Sequence, residues 1–315
     1  MPLTKFTNLD FDQIKTSIKD YLRSNSDFTD FDFDGSNFSV LIDTLAYNTY
    51  ITAFNTNMAV NESFLDSATL RENVVSLARN VGYVPRSKSA AQANISFNVN
   101  TASAAGQLIL KAGLVCVGAV DNTSYTFSIP EDITTNIVSN VASFNNINIY
   151  QGAYLTKTFT VDASYNQRFI LENSDIDTST LVVKVGTRTY NMVDNIITVN
   201  KDSEIYLLQE VPDEKYELLF GDGIIGKKLS NGDVITVSYI TTNGATGNGP
   251  ALFSYAGTTT NSEDTIINPN NSVNVTTNSK ASGGGDIEPI ESVKYFAPRT
   301  YAAQNRAVTA RDYEA

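Results

Sequence analysis

The sequence predicts an α+β protein: an N-terminal helical arm, an antiparallel β-rich region of sandwich or barrel type, and a short C-terminal helical segment. Three observations lead there. Apolar residues recur at helical spacing before residue 90 and alternate in strand fashion from Ala93 onward. Many short strand candidates then follow at close spacing, punctuated by Asn, Gly and Ser, which favours antiparallel pairing over parallel α/β units. A polar stretch ending in Gly283-Gly284-Gly285 finally gives way to mixed apolar and aromatic residues. The predicted regions are 1–90, 91–280 and 281–315, the last beginning a helical region cut short.

The first helix is expected over 9–23. Asp10 and Gln13 stand at capping-box spacing, and Phe11, Ile14, Ile18, Tyr21 and Leu22 recur at helical intervals. Residues 27–35, DFTDFDFDG, open like a calcium loop at Asp30, Asp32, Asp34 and Gly35. The closing bidentate glutamate would fall at Leu41, so the segment reads as a turn whose aspartates favour the following helix N-terminus.

The stretch 37–81 organises the chain as one long helix and one shorter one. On the long helix Phe38, Leu41, Ile42 and Leu45 share a face, while Tyr47, Tyr50, Ile51, Phe54 and Met58 cluster roughly 170° away at ~100° per residue. A helix apolar on opposite faces must be covered from both sides. Two readings are open at this point: a core helix wedged inside its own chain, or one member of a bundle completed by other chains. Val74, Val75, Leu77, Ala78 and Val81 of the second helix are candidates to cover one face. Nothing after residue 90 reads as enough helix to cover the other. Thr69 with Glu72 is the expected start of that second helix, and Gly82 its stop. RSKSAAQ, 86–92, reads as a linker.

Strand candidates beyond Ile95, Phe97 and Val99 are 108–120, 124–129, 146–150, 157–162, 168–171, 181–185 and 196–199. The most patterned stretch is 216–250, where two phosphate-binding motifs overlap. Gly221, Gly223 and Gly226 give G-x-G-x-x-G, and Gly221, Gly226 and Lys227 give most of a P-loop. Both require the glycines to open a helix whose amides face the anion. Here they lead to Asn231-Gly232, a hairpin signal, and to the alternating strand 234–239; Lys228 stands where magnesium needs Ser or Thr. The glycines are therefore expected in tight turns. Asp213, Glu214, Asp222 and Asp233 are candidate paired carboxylates for a glycan hydrolase, but aspartate beside glycine is more often a turn former. Residues 258–285 read as an exposed loop and flexible joint. At 308–314, Thr309 with Asp312 begins a last helix that ends within its first turn.

Bulk composition narrows function further. The 315 residues are 42% hydrophobic and 18% charged, with a net charge of -12, and a pI near 4.5. That balance opposes nucleic-acid binding, which needs a basic footprint. No run resembles a signal peptide or approaches the roughly 20 apolar residues of a membrane span. A single cysteine, Cys116, excludes an intramolecular disulfide. With no histidine at all, Ser-His-Asp and Cys-His activation and histidine-bearing zinc sites are excluded. No catalytic residue, cofactor or metal is expected.

Three stretches together carry a family resemblance: SNFSVLIDTLAYNTYITAFNTNMAVNESFLDSATLRENVVSLARNVGYVPRSKSAAQA, LLFGDGIIGKKLSNGDVITVSYITTNGATGN and YFAPRTYAAQNRAVTARDYEA. The chain resembles the baseplate wedge subunit of contractile-tail bacteriophages, the gene-six wedge protein of T-even-type phages within the baseplate J-like family. Members of the T-even type are longer, so the resemblance implies an N-terminal portion. It also implies a structural, non-enzymatic protein of the virion tail baseplate, assembled in the host cytoplasm. The implied partners are a second copy of the chain and a different wedge protein in a heterotrimer, and a small sheath-initiating protein bound to a shared helical bundle. Phe38, Leu41, Ile42, Leu45, Tyr50, Ile51, Phe54 and Met58 are the expected bundle residues. The rival readings are a carboxylate-based tail-associated glycan hydrolase and a receptor-binding adhesin, the latter prompted by the Asn/Ser/Thr-rich β region.

Overall fold

A computed structural model of the chain describes residues 10–24, 37–102, 106–193 and 199–303. The aspartate-rich segment 27–35, most of the expected strand 196–199 and the expected helix start at 308–314 lie outside these residues. The chain divides into two compact units, one holding residues up to Tyr83 and from Ile290, the other Val84–Pro289.

The helical unit comprises α1 (Phe11–Arg23), α2 (Asn37–Glu62), α3 (Arg71–Asn80) and α4 (Ile290–Ala303). Asp10 caps α1 as its spacing predicts, its carboxylate accepting from the Gln13 N–H at 3.0 Å. Helix α3 ends on Gly82, whose φ of 79° lets Tyr83 N–H reach Ala78 C=O at 3.1 Å and Gly82 N–H reach Arg79 C=O at 2.9 Å. That pair of bonds is the Schellman closure that a glycine at this position permits. The apolar face of α3 does not turn to α2: Ala68, Val74 and Ala78 cluster with Val293 and Ala297 of α4. Helix α4 falls within the C-terminal helical segment expected at 281–315, and it packs on α3.

The β unit contains β1 (Gln92–Asn100), β2 (Gln107–Leu110), β3 (Gly113–Val120), β4 (Thr123–Ile129), β5 (Ile133–Val138), β6 (Val141–Gln151), β7 (Ala153–Thr160) and β8 (Phe169–Leu171). It continues with β9 (Ile176–Val185), β10 (Arg188–Met192), β11 (Ile205–Val211), β12 (Lys215–Phe220), β13 (Val234–Thr241), β14 (Phe253–Tyr255), β15 (Thr259–Thr260) and β16 (Val275–Ser282). One sheet runs β14-β3-β4-β6-β5-β2-β15, with β1 pairing both β6 and β16. Its core holds Ile95, Phe97 and Val99, the alternating trio legible in the sequence, with Phe127, Phe144 and Ile149. The other runs β7-β13-β9-β10-β11-β12-β8 and curls nearly closed. Phe159 of β7 and Phe169 of β8, on its two edge strands, meet edge to face at 5.7 Å. Among the described strands, pairing is antiparallel except between β10 and β11; an isolated parallel bridge joins Gly221 and Lys228.

Several expectations change here. The tail 258–285 contains β16, which pairs with β1 from Val275 to Ser282. Its sequence, VTTNSKAS, lacks an apolar alternation because its outer side chains join a polar network. Asn278 donates to Asn94 Oδ1 at 2.7 Å, Ser96 Oγ at 2.8 Å and Asn146 Oδ1 at 3.1 Å. Asn231-Gly232 makes a turn but not a hairpin: β12 pairs with β11 and β8, whereas β13 pairs with β7 and β9.

The two segments expected to act as joints are tied down, largely to each other. Ser89 and Gly285 exchange both backbone bonds, at 2.9 and 3.1 Å, and Glu288 N–H reaches Arg86 C=O at 3.0 Å. Ala90 N–H donates to Asp177 at 2.7 Å, and Gly284 N–H to Asn248 Oδ1 at 2.8 Å.

Glycine is required at 221, where an added Cβ would lie 2.2 Å from the Gly226 carbonyl carbon, and not at 285, where nothing stands within 4 Å. Gly221→Ala is accordingly expected to destabilise the β unit by about 1–3 kcal/mol, while Gly285→Ala stays within about 0.5 kcal/mol of the parent. Urea unfolding monitored by tyrosine fluorescence checks both.

Candidate functional site

The surface that needs explaining lies on α2. Its residues buried within the chain are Ser39, Ile42, Ala46, Ala53, Asn57 and Asn61, an arc of about 100° on a helical wheel. Most are small or polar. Large apolar side chains flank this stripe on both sides: Leu41 and Leu45 on one, Val40, Tyr47, Phe54 and Met58 on the other. These six are 41–61% exposed. Phe38, Tyr50 and Ile51 are half-buried. Ile42 departs from the expected partner set: at 1% exposed it packs inside its own chain and offers no surface to another.

The second flank has a regular spacing. Val40, Thr44, Tyr47, Ile51, Phe54 and Met58 follow one another at alternating steps of four and three residues. That is the seam spacing of a left-handed helix pair, here about 27 Å long at 1.5 Å per residue. Val40 extends the seam beyond the residues that the sequence reading selects, and its position seven before Tyr47 was the signal for it. Where α1 meets α2, Lys15 Nζ lies 2.5 Å from Asp43 Oδ1, a part-exposed pair worth at most about 1 kcal/mol.

The end of α2 holds a second feature that sequence reading misses. Thr69 and Glu72 do not form the expected capping box. The N-cap of α3 is Leu70, which has no side-chain acceptor, and Glu62 of α2 accepts instead from the segment that enters α3 and from the Asn73 side chain. Its Oε1 accepts from Thr69 N–H at 2.8 Å and Thr69 Oγ1 at 2.6 Å, and its Oε2 from Asn73 Nδ2 at 2.8 Å and Leu70 N–H at 3.3 Å. Burial raises the Glu62 carboxyl, but these hydrogen bonds outweigh it and hold the group down at about 2. No local spacing announces an acceptor seven to eleven residues upstream.

The carboxylates considered for glycan chemistry are engaged in turns. Asp222 Oδ1 accepts from Ile224 N–H at 2.8 Å and Ile225 N–H at 2.9 Å, and those backbone bonds keep its pKa below the usual carboxylate range. Asp233 Oδ2 accepts from Ser230 N–H at 2.8 Å, and Asp213 pairs with Lys215 at 3.3 Å. A groove of about 600 Å³ beside Phe253, Tyr255, Val273 and Val275 has Ser, Asn and Pro as its remaining lining and no carboxylate.

Residues 10–83 match the family model of the helical domain of gp6-like baseplate wedge proteins. The chain is 34% identical over 326 residues to the baseplate wedge protein gp6 of Enterobacteria phage T4, an alignment covering 96% of this chain and 49% of that protein. It thus spans about half the length of the curated relative it matches. A cryo-EM structure of the anti-feeding prophage baseplate aligns with 95% of this chain and 54% of its own, at 12% identity and a TM-score of 0.31; a likeness that remote bears on neither fold nor function.

Because the Glu62 carboxyl lies below its ordinary 4.5 in the folded chain, its contribution is complete above pH 4.5 and lost as pH falls toward about 2. Glu62→Gln is therefore expected to destabilise the helical unit by about 1–2 kcal/mol at neutral pH. The gap to the parent should narrow across that acid window, measured by denaturation at stepped pH.

Proposed function

The chain belongs with the gp6-like baseplate wedge proteins, whose helical domain it carries at residues 10–83, and from that premise we propose that α2 is its assembly arm. In this reading the protein is a structural subunit of a contractile-tail baseplate in the virion. Two copies join a different wedge protein through a shared helical bundle, to which a small sheath-initiating protein binds. The observation that carries the reading is the inversion of side-chain size on α2. Apart from Ile42, the residues that face its own chain are small or polar, while Val40, Leu41, Leu45, Tyr47, Phe54 and Met58 remain large, apolar and 41–61% exposed.

Full burial of each would contribute roughly 1.5–3 kcal/mol before entropy costs. Contiguous apolar surface of this kind marks interaction sites in soluble proteins. The seam spacing from Val40 to Met58 favours a helix as what covers it. Phe38, Leu41, Leu45, Tyr50, Ile51, Phe54 and Met58 are retained as bundle residues and Ile42 is not. A non-enzymatic role agrees with the turn duties of Asp213, Asp222 and Asp233. Relay of baseplate rearrangement to the sheath then depends on compliance elsewhere than 86–92 and 283–285. We place it at the two chain crossings, Tyr83–Val84 and Pro289–Ile290.

Co-expression with the neighbouring wedge genes followed by size-exclusion chromatography tests the arm. Leu45→Asp with Phe54→Asp is expected to abolish co-elution while leaving the β signature of the circular dichroism spectrum intact. Co-elution of that double variant at parental levels would sink the proposal.

A further inference from the structure

We infer that Glu62 is a positioning residue, a carboxylate latch that fixes the elbow between α2 and α3 so that the two helices act as one lever. An ordinary N-cap side chain belongs to the helix it caps, and its bonds survive any movement of that helix. Here the acceptor belongs to the preceding helix. The Leu70 N–H at the start of α3, the Thr69 N–H just before it and the Thr69 and Asn73 side chains all reach this one carboxylate. They can do so only at one α2–α3 geometry, because Leu70 has no capping side chain of its own.

Local helix physics gives no other reason for a glutamate at this position. It is the last residue of α2, where negative charge opposes the helix dipole, and the last turn of α2 carries no basic residue to offset it. At the N-terminus of α3 the same charge is favourable. Two oxygens gather four hydrogen bonds from Thr69, Leu70 and Asn73, so bending the elbow forfeits all of them together.

The intervening loop is closed separately. Ser67 Oγ donates to Asn61 C=O at 2.6 Å, and Ala68 N–H donates to Phe64 C=O at 2.9 Å. Ala68 is fully buried in the cluster that joins α3 to α4. The latch acts whatever covers the flanks of α2.

Paired spin labels at Thr52→Cys on α2 and Asn80→Cys on α3, both exposed positions, report the elbow in the full chain; the native Cys116 is buried. Pulsed EPR should give one narrow distance distribution in the parent and a broadened one with Glu62→Gln. Amide exchange at Thr69 and Leu70 should rise about tenfold while the Ala78 and Ile95 amides keep their protection. Asn73→Ala, which removes a single bond, should broaden the distribution less. An unchanged distribution in Glu62→Gln overturns the latch, since packing would then set the angle. Loss of protection along the whole of α2 and α3 overturns it too, since Glu62 would then be a folding residue. Neither result touches the assembly arm, whose test reads co-elution.

Discussion

Two helices approach closely only where the side chains between them are small, and on α2 that condition is met along one stripe. Ser39, Ala46 and Ala53 turn inward together with Ile42, and the larger residues are displaced to the flanks. A helix sequenced to sit in its own core would carry Leu45, Phe54 and Met58 where the alanines are. The helical unit therefore holds α2 by a narrow contact and leaves the greater part of its apolar surface outward. Elsewhere in the unit, α3 is matched to α4 through Val74, Ala78, Val293 and Ala297.

The β unit obeys the opposite rule, in that nearly every element is fastened to several others. Bidentate bonding of Arg168 to Glu217, both distances 2.7 Å, ties β12 to the residue before β8. Gln209 of β11 reaches the same carboxylate at 2.7 Å. The segment entering this unit is bonded from Arg86 to Ala90, partly to the segment that leaves it. A glycine run and a Ser/Lys/Ala stretch look flexible by composition, yet backbone pairing partners decide the matter. Gly284 is held by Asn248 on both its N–H and its C=O.

What the sequence made legible has a common character. The cap at Asp10, the stop at Gly82, the core trio of β1 and the two-faced α2 are all set by residues within one turn or one pleat of each other. The readings that failed depend on distant partners. Strand β16 escaped because a neutral amide network, not an apolar face, pairs it across more than 180 residues to β1. Strands β10 and β11 escaped because RTYNM offers one buried side chain and IYLLQEV is apolar on both faces. The Glu62 bonds to the start of α3 were invisible for the same reason, their acceptor lying on another helix. On α2 the periodicity groups Ile42 with Phe38, Leu41 and Leu45, but at 140° from Asn37 on a ~100° wheel it borders the stripe and the flank alike, and the fold buries it.

Charge adds a last constraint on what meets α2. The chain carries a net charge of -12, so two copies repel one another wherever their acidic surfaces come within a Debye length of about 8–10 Å. Between Asn37 and Asn61 there is a single ionisable carboxylate, Asp43, and Lys15 stands against it. The acidic Glu62 at the helix end is committed to α3. The outward flanks of α2 are consequently apolar and nearly free of carboxylates. Under the assembly proposed above, a second copy of the same acidic chain would approach along that strip without bringing carboxylates together, and a helix with matching seam spacing would gain contact over most of its length. Burial and charge thus select the same strip, although nothing in the local rules of helix formation requires them to coincide.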